Sequence, residues 1–477
     1  MTLPMSWHEN WSGLRAVVLG LGKSGFSVAD TLIELGVETF VLAKDADPER
    51  LDLAKLIGAQ ILEGDEPELL SQLTTNPDFA VVSPGFKPSH PLIQRLIELE
   101  IPILSDIDLA WRLRDKLPRV ANWITITGTN GKTTTTELVA HILRTSGLRA
   151  VACGNIGNPI LDMIRDPEGF DYLVVELSSF QLHYTARLQP VASAFLNFAE
   201  DHLDWHGSVE GYFQAKSKIF AGTEKAIIFN EEDARTFDAA KNAEVIEGAR
   251  GVSFTLGIPA RSMVGYVEEY LVDRAFLEER AEAALEVAEQ SDIEQIGALT
   301  LPLKQNVAAA TALARAVGVA PAIIKHAIAS FQLSPHRAQF AGELGGVRFI
   351  DDSKATNAHA ADASLRSFER VVWIVGGLLK GVDISPLIEK HAKRLKAAVI
   401  IGADTSELER LFSQSLPQLP LRVLTGKPMS EVVQMATELA TTGDTVLLAP
   451  AAASMDQYRD YEDRGNQFQL AVRGLEK

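Results

Sequence analysis

Lys132 stands between Gly131 and Thr133 in the stretch "ITITGTNGKTTTTELVAHIL", which begins at Ile124. An apolar strand, a glycine turn and a helix with a lysine and a hydroxyl at its mouth make a phosphate site. Backbone N–H groups and the positive helix end attract the anion, the ammonium reaches its outer phosphates, and the hydroxyl ligates Mg²⁺. The usual G-x-x-x-x-G-K-[ST] spacing puts a glycine where Ile126 stands, and here Gly128 supplies the earlier glycine instead. A threonine run that merely caps a helix explains Thr133 and Thr134 but not the lysine before them. An ATP-type site also needs a metal group at the end of a neighbouring strand. "DYLVVELSS" ends near Glu176, and "ASAFLNF" runs into "AEDHLDWHG", which brings His202 just past its end. Carboxylate and imidazole are ligand types of the right kind, although a lone histidine is also ordinary surface.

A second loop, "GLGKSG", fits G-x-G-x-x-G through Gly20, Gly22 and Gly25, after a strand and before a helix. For a dinucleotide, an acidic residue should close the second strand, and Asp45 or Asp47 in "VLAKDAD" is placed for that. A packing turn with no ligand has the same pattern.

The elements that must position these residues alternate between apolar strand-like runs and helical patterns from end to end, which predicts parallel α/β units. The alternation restarts at "NWITITG" and again after "LSPHR", so three α/β domains are expected: residues 1–111, 112–333 and 334–477. The outer two read as Rossmann-like and the central one as a P-loop-type mononucleotide fold. "SMVGYVEEYLVDRAFL" reads as a short antiparallel excursion. With 477 residues the chain is too long for one ordinary core. Its formal charge of −18 argues against general nucleic-acid binding, though local loops can still be positive. One cysteine, Cys153, allows no internal disulfide and fits a reducing compartment. The N-terminus has no signal-peptide pattern and no apolar run is long enough to span a membrane, so a cytoplasmic protein without membrane insertion is expected.

"GTNGKTTTT", "GNIGNP", "ELSSFQL", "EDHLDWHGS", "YFQAKSKIF", "SPHR", "DDSKATN" and "SMDQYRDYEDRGNQF", in this order, resemble the Mur ligases of peptidoglycan synthesis. The resemblance spans nearly the whole chain. The phosphate loop alone would also fit a folylpolyglutamate synthase, but that family carries it near the N-terminus. "DDSKATN" and the C-terminal motif narrow the resemblance to members that add D-glutamate.

The resemblance implies ATP-driven amide formation through an acyl phosphate, with D-glutamate added to UDP-N-acetylmuramoyl-L-alanine and ADP and phosphate released. Gly22, Lys23 and Ser24, with Ser83, Pro84 and Gly85, would meet the UDP substrate, and Asn155 and Ser179 its muramoyl-alanine part. Gly128, Thr129, Asn130, Gly131, Lys132, Thr133 and Thr134 would cradle ATP, with Asn306, Arg337, Asp352 and Lys354 completing that site. Lys132, Glu176, His202 and Lys216 would be catalytic. Thr133 and Glu176 would hold one Mg²⁺, and His202 a second, together with Lys216 carbamylated by CO₂. Lys218 lies close enough to compete for that last role. Thr356, Lys380, Ser454 and Tyr461 would bind D-glutamate. The implied partners are these small molecules, and the implied state is a monomer.

Three positions depart from the family pattern. "PLKQN" keeps only Asn306 of an HNxxN element, Ala43 to Asp45 replaces an acidic-hydroxyl-basic trio on the uridine side, and "GGLLKG" lacks an acidic residue after its double glycine. Two other functions compete. A sister ligase would take a different amino acid. An NAD-dependent oxidoreductase would use "GLGKSG" and leave Lys132 without a role.

Overall fold

The computed structural model describes residues 3–42, 47–62, 76–186, 188–297, 299–333, 335–379 and 381–475, apart from the side chain at 204. Its strands form three sheets. The first runs Gln60–Leu62, Glu38–Leu42, Arg15–Leu19, Phe79–Val82, Ile103–Ser105, all parallel. Ala16 to Leu19 and Phe79 to Val82 are buried on both faces, which explains their unbroken apolar sequences. The chain order reverses between Arg15–Leu19 and Phe79–Val82. "GLGKSG" and Ser83 to Gly85 leave these neighbouring strands at the same sheet edge, the crevice where ligands bind in open α/β sheets.

Among the described residues the central sheet has nine strands. Asn122–Thr127 lies between Tyr172–Glu176 and Ala192–Phe195, parallel to both. Their C-terminal ends therefore deliver the phosphate loop, Glu176 and the segment leading to His202 along one edge. At the far side, Met263–Val267 pairs antiparallel with Tyr270–Asp273, and that strand with Leu285–Glu289, giving the expected antiparallel excursion. Among the described residues the third sheet has six strands, parallel except for the edge strand Gln339–Leu344.

The chain divides into two compact units. One holds Met1–Glu289 with Gln305–Ile328, and the other holds Gln290–Lys304 with Ala329–Lys477. The first two sheets share a unit because one apolar cluster runs from Trp11 and Leu113 through Trp123 to Leu173. In the other unit, separate clusters cover the two faces of the third sheet. Among the described residues no helix is long and apolar enough to cross a membrane.

Gly25 shows how tightly the first loop is folded. It lies inside the helix Lys23–Glu34, where alanine normally favours helix. A Cβ there would come 2.0 Å from the Gly20 carbonyl oxygen. Gly25→Ala is therefore expected to destabilise the first unit by about 2 kcal/mol or more, read as a lower thermal-unfolding midpoint. A gain in stability would mean that helix propensity outweighs the close approach.

Candidate active site

The loop after Asn122–Thr127 is shaped by backbone requirements before any ligand is considered. Gly131 adopts φ 80° and caps the helix Lys132–Thr145, and having no side chain it makes no cap bond to the first N–H groups of that helix. A Cβ at Gly131 would lie 2.3 Å from Asn306 Oδ1, so the glycine also admits Asn306 against the loop. Asn197 clamps the turn from the neighbouring strand. Asn130 N–H donates to Asn197 Oδ1 at 2.9 Å, and Asn197 Nδ2 donates to Asn130 O at 3.0 Å. Thr129 Oγ1 meets Tyr212 Oη at 3.2 Å.

Two lysines converge here. Lys132 Nζ donates to Gly128 O and Thr129 O at 3.0 Å each. Lys216 Nζ, buried, donates to the same Gly128 O at 2.8 Å. Burial, then the nearby Lys132 charge, pushes the Lys216 amine well below the ordinary lysine range, against the pull of Asp201 and Glu176. Lys218 points elsewhere and donates to His183 O at 2.7 Å.

Glu176 ends its strand beside Ile126. Its Oε1 accepts from Asn155 Nδ2 at 2.8 Å, while its buried Oε2 has no hydrogen-bond partner among the described residues. An unpartnered carboxylate oxygen suits a cation. Among the described residues no group of three or more His, Cys, Asp or Glu side chains forms a metal cage. Thr133 is half-buried in the first helical turn. His202 is exposed at φ 52°, with its ring 4.7 Å from Phe180 and 6.0 Å from Tyr212. Ser179 is buried, and its Oγ meets His206 Nε2 at 3.0 Å.

In the first domain Gly22 caps the helix Lys23–Glu34 with no side-chain bond, and Lys23 is exposed. Ser24 is half-buried at the second position of that helix. Ser83 N–H donates to Leu19 O at 3.0 Å, holding Ser83, Pro84 and Gly85 beside the glycine loop. Asp47 caps the N–H of Glu49, whereas Ala43 to Asp45 lie outside the described residues.

In the other unit, Lys354 Nζ sits 3.7 Å from the Tyr461 ring centroid, and the Arg337 charge acts on both Asp352 and Tyr461. Thr356 N–H donates to Lys354 O at 2.8 Å, and Ser454 is buried. Asp352 accepts from Ala338 N–H at 3.1 Å and from the Ser364 hydroxyl. Lys380 lies outside the described residues.

Family models match in three consecutive blocks: "Mur ligase MurD-like, N-terminal domain" over residues 14–105, "Mur ligase middle domain" over 126–295, and "Mur ligase, glutamate ligase domain" over 336–452. The chain belongs to the Mur ligase family. The UDP-N-acetylmuramoylalanine–D-glutamate ligase of Leifsonia xyli is 48% identical, covering 98% of this chain and 94% of the relative. That of Streptomyces avermitilis is 44% identical, covering 98% and 99%. The fold matches the UDP-N-acetylmuramate-alanine ligase of Thermotoga maritima at a TM-score of 0.56 and 17% identity, covering 97% of this chain and all of that one. It matches the MurF ligase of the same organism, solved with ADP, at 0.56 and 17%, covering 98% and 97%.

Within this Mur ligase, sequence reasoning missed Asn197 and Tyr212. Both follow the same strand edge as His202, and that placement was the available signal.

Asp352 gives a pH test. Burial raises its carboxyl from 3.8 to about 6. The folded state therefore holds more protons than the unfolded chain between these values. The stabilising contribution is complete below about pH 4 and is lost as pH rises through about 6. Asp352→Asn can still accept from Ala338 N–H and donate to Ser364 Oγ. It should flatten this decline in unfolding midpoint, and an unchanged pH slope would contradict the burial argument.

Proposed function

We propose that the chain is an ATP-dependent ligase that joins D-glutamate to UDP-N-acetylmuramoyl-L-alanine and releases ADP and phosphate. The observation that carries this reading is the convergence of Lys132 and Lys216 on Gly128 O, with the half-unpartnered Glu176 at the end of the neighbouring strand. The names of the full-length relatives support the choice of D-glutamate and of the UDP-linked acceptor.

The chemistry starts from a carboxylate, which does not condense with an amine in water unaided. An oxygen of the alanine carboxylate attacks the γ-phosphorus of ATP, and ADP leaves. The D-glutamate amine then attacks the acyl carbon, and phosphate departs with that carboxylate oxygen as the amine loses its proton. Lys132 and the first N–H groups of its helix hold the β,γ-phosphates. Gly128 to Thr134 shape the cradle, and Asn306, Arg337, Asp352 and Lys354 hold the rest of the nucleotide. Mg²⁺, when bound, would neutralise phosphate charge, and Thr133, Glu176, His202 and carbamylated Lys216 are the residues that would hold it.

A lysine whose amine is largely neutral reacts with CO₂ to give a carbamate and one proton, replacing a repelling cation with a carboxylate-like group. Burial beside Lys132 favours that neutral amine. Gly22, Lys23, Ser24 and Ser83 to Gly85 take the UDP part, and Asn155 and Ser179 the muramoyl-alanine part. Thr356, Lys380, Ser454 and Tyr461 recognise D-glutamate. The domain boundaries, a cytoplasmic location and a monomeric state belong to the same proposal.

Phosphate release, measured with the UDP-muramoyl-alanine acceptor and a panel of amino acids, should require D-glutamate. Release with another amino acid instead would assign the chain to a sister ligase. Lys132→Ala should cut turnover by at least about a hundredfold while leaving calorimetric UDP affinity unchanged. Lys216→Arg should be equally inactive, because guanidinium is always charged and forms no carbamate. Lys216→Ala should regain some turnover in formate or acetate. Full activity of Lys216→Arg would remove the carbamate from the account.

A further inference from the structure

Gln469 lies on the helix Tyr461–Gly474, one residue beyond the last sequence motif, and no step above uses it. Its Nε2 donates to Gln339 Oε1 at 2.8 Å and to Asp351 Oδ2 at 2.9 Å. Both partners are committed as acceptors. Gln339 Oε1 also takes the backbone N–H of His336 at 3.0 Å, and Asp351 Oδ2 lies 2.6 Å from His336 Nδ1. The other Asp351 oxygen accepts from Ser353 N–H at 3.1 Å, and both Asp351 and His336 are buried. The Gln469 amide must therefore turn both of its N–H groups toward this cluster. One turn earlier on the same helix, a Cβ at Gly465 would come 2.2 Å from His336 Nδ1, so the glycine makes room for the imidazole. Gly465 and Gln469 together form a socket for His336.

We infer that Gln469 is a positioning residue that fixes the backbone from which Arg337 serves the nucleotide. This rests on the proposed role of Arg337 in ATP binding. Arg337 stands between two residues in the left-handed region, His336 at φ 66° and Ala338 at φ 46°. Residues with a Cβ keep that conformation only where the surroundings compensate for it. On one side the compensation is the His336 socket, together with Lys354 N–H, which donates to His336 O at 3.2 Å. On the other, Ala338 N–H donates to Asp352 Oδ1 at 3.1 Å. The loop is thereby tied to Asp352 and Lys354, the other two residues that this unit contributes to the proposed nucleotide site. Without the Gln469 N–H groups, Gln339 Oε1 and Asp351 Oδ2 each lose a donor, and the two groups that hold His336 are free to turn. A guanidinium recognises an anion through a rigid fork, so a small shift of its backbone weakens the contact.

The test uses Gln469→Met, Gln469→Glu, Arg337→Ala and the double variant Gln469→Met with Arg337→Ala, all in the full chain. Steady-state kinetics are combined with calorimetric titration of a non-hydrolysable ATP analogue. Gln469→Met keeps the side-chain length and loses both N–H groups. It should weaken analogue binding and raise KM for ATP about tenfold, while KM for D-glutamate and for the UDP substrate stays within about twofold. Added to Arg337→Ala it should cost less than about twofold more, because both changes remove one contact. Gln469→Glu should bind the analogue about tenfold more weakly than wild type at about pH 8 and recover toward it at about pH 6, since a protonated carboxyl returns one donor to the cluster. A glutamine that only packs predicts equal rises in all three KM values, or none, and no such pH dependence, and either result overturns the assignment. Additive losses in the double variant, or unchanged analogue affinity in Arg337→Ala, overturn it as well. If Gln469→Met does not fold, the pH dependence of Gln469→Glu decides alone. Wild-type protein that binds the analogue but ligates no D-glutamate would sink the amino-acid reading and leave this one standing. Failure to bind the analogue at all would sink both.

Discussion

A chain of formal charge −18 must neutralise a polyphosphate, and the central sheet is arranged around that requirement. Positive character cannot come from the whole surface, so it is concentrated in one turn: a helix N-terminus, Lys132 and Lys216. The parallel order Tyr172–Glu176, Asn122–Thr127, Ala192–Phe195 puts that turn, the Glu176 carboxylate and the approach to His202 on one edge. Gly131, Asn197 and Asn306 then fix the turn without adding charge.

The same concentration creates a conflict at Lys216. Two ammonium groups donating to one carbonyl in a buried place repel each other and lose hydration. Neutralising the buried amine relieves both costs, and carbamylation goes further by supplying an anion next to Lys132. The interaction that looks least favourable in the protein alone is therefore the one that the proposed chemistry resolves.

Much of this was legible in the sequence because it depends on runs and glycines. Long apolar strands such as Val371–Gly376 announced the third sheet. The loop motifs announced the helix that begins at Lys132 and the strand that ends at Glu176. Gln60–Leu62 and Ile103–Ser105 are three residues each, too short for any periodic signal, so the edges of the first sheet were not readable. Residues 290–304 follow the central strands in sequence yet group with the second unit, because packing rather than local pattern decides membership. Asn197, Tyr212 and Gln469 act through partners far away in sequence, and no local spacing encodes such pairs.

The account stands on one claim, that the convergent lysines serve transfer of a phosphoryl group to the substrate carboxylate. Oxygen-18 placed in the alanine carboxylate of the UDP substrate tests it directly, with mass spectrometry of the released phosphate after one round of ligation with D-glutamate. One labelled oxygen in inorganic phosphate is the predicted result. Phosphate free of label, with the label instead in AMP or retained entirely in the product, would contradict it.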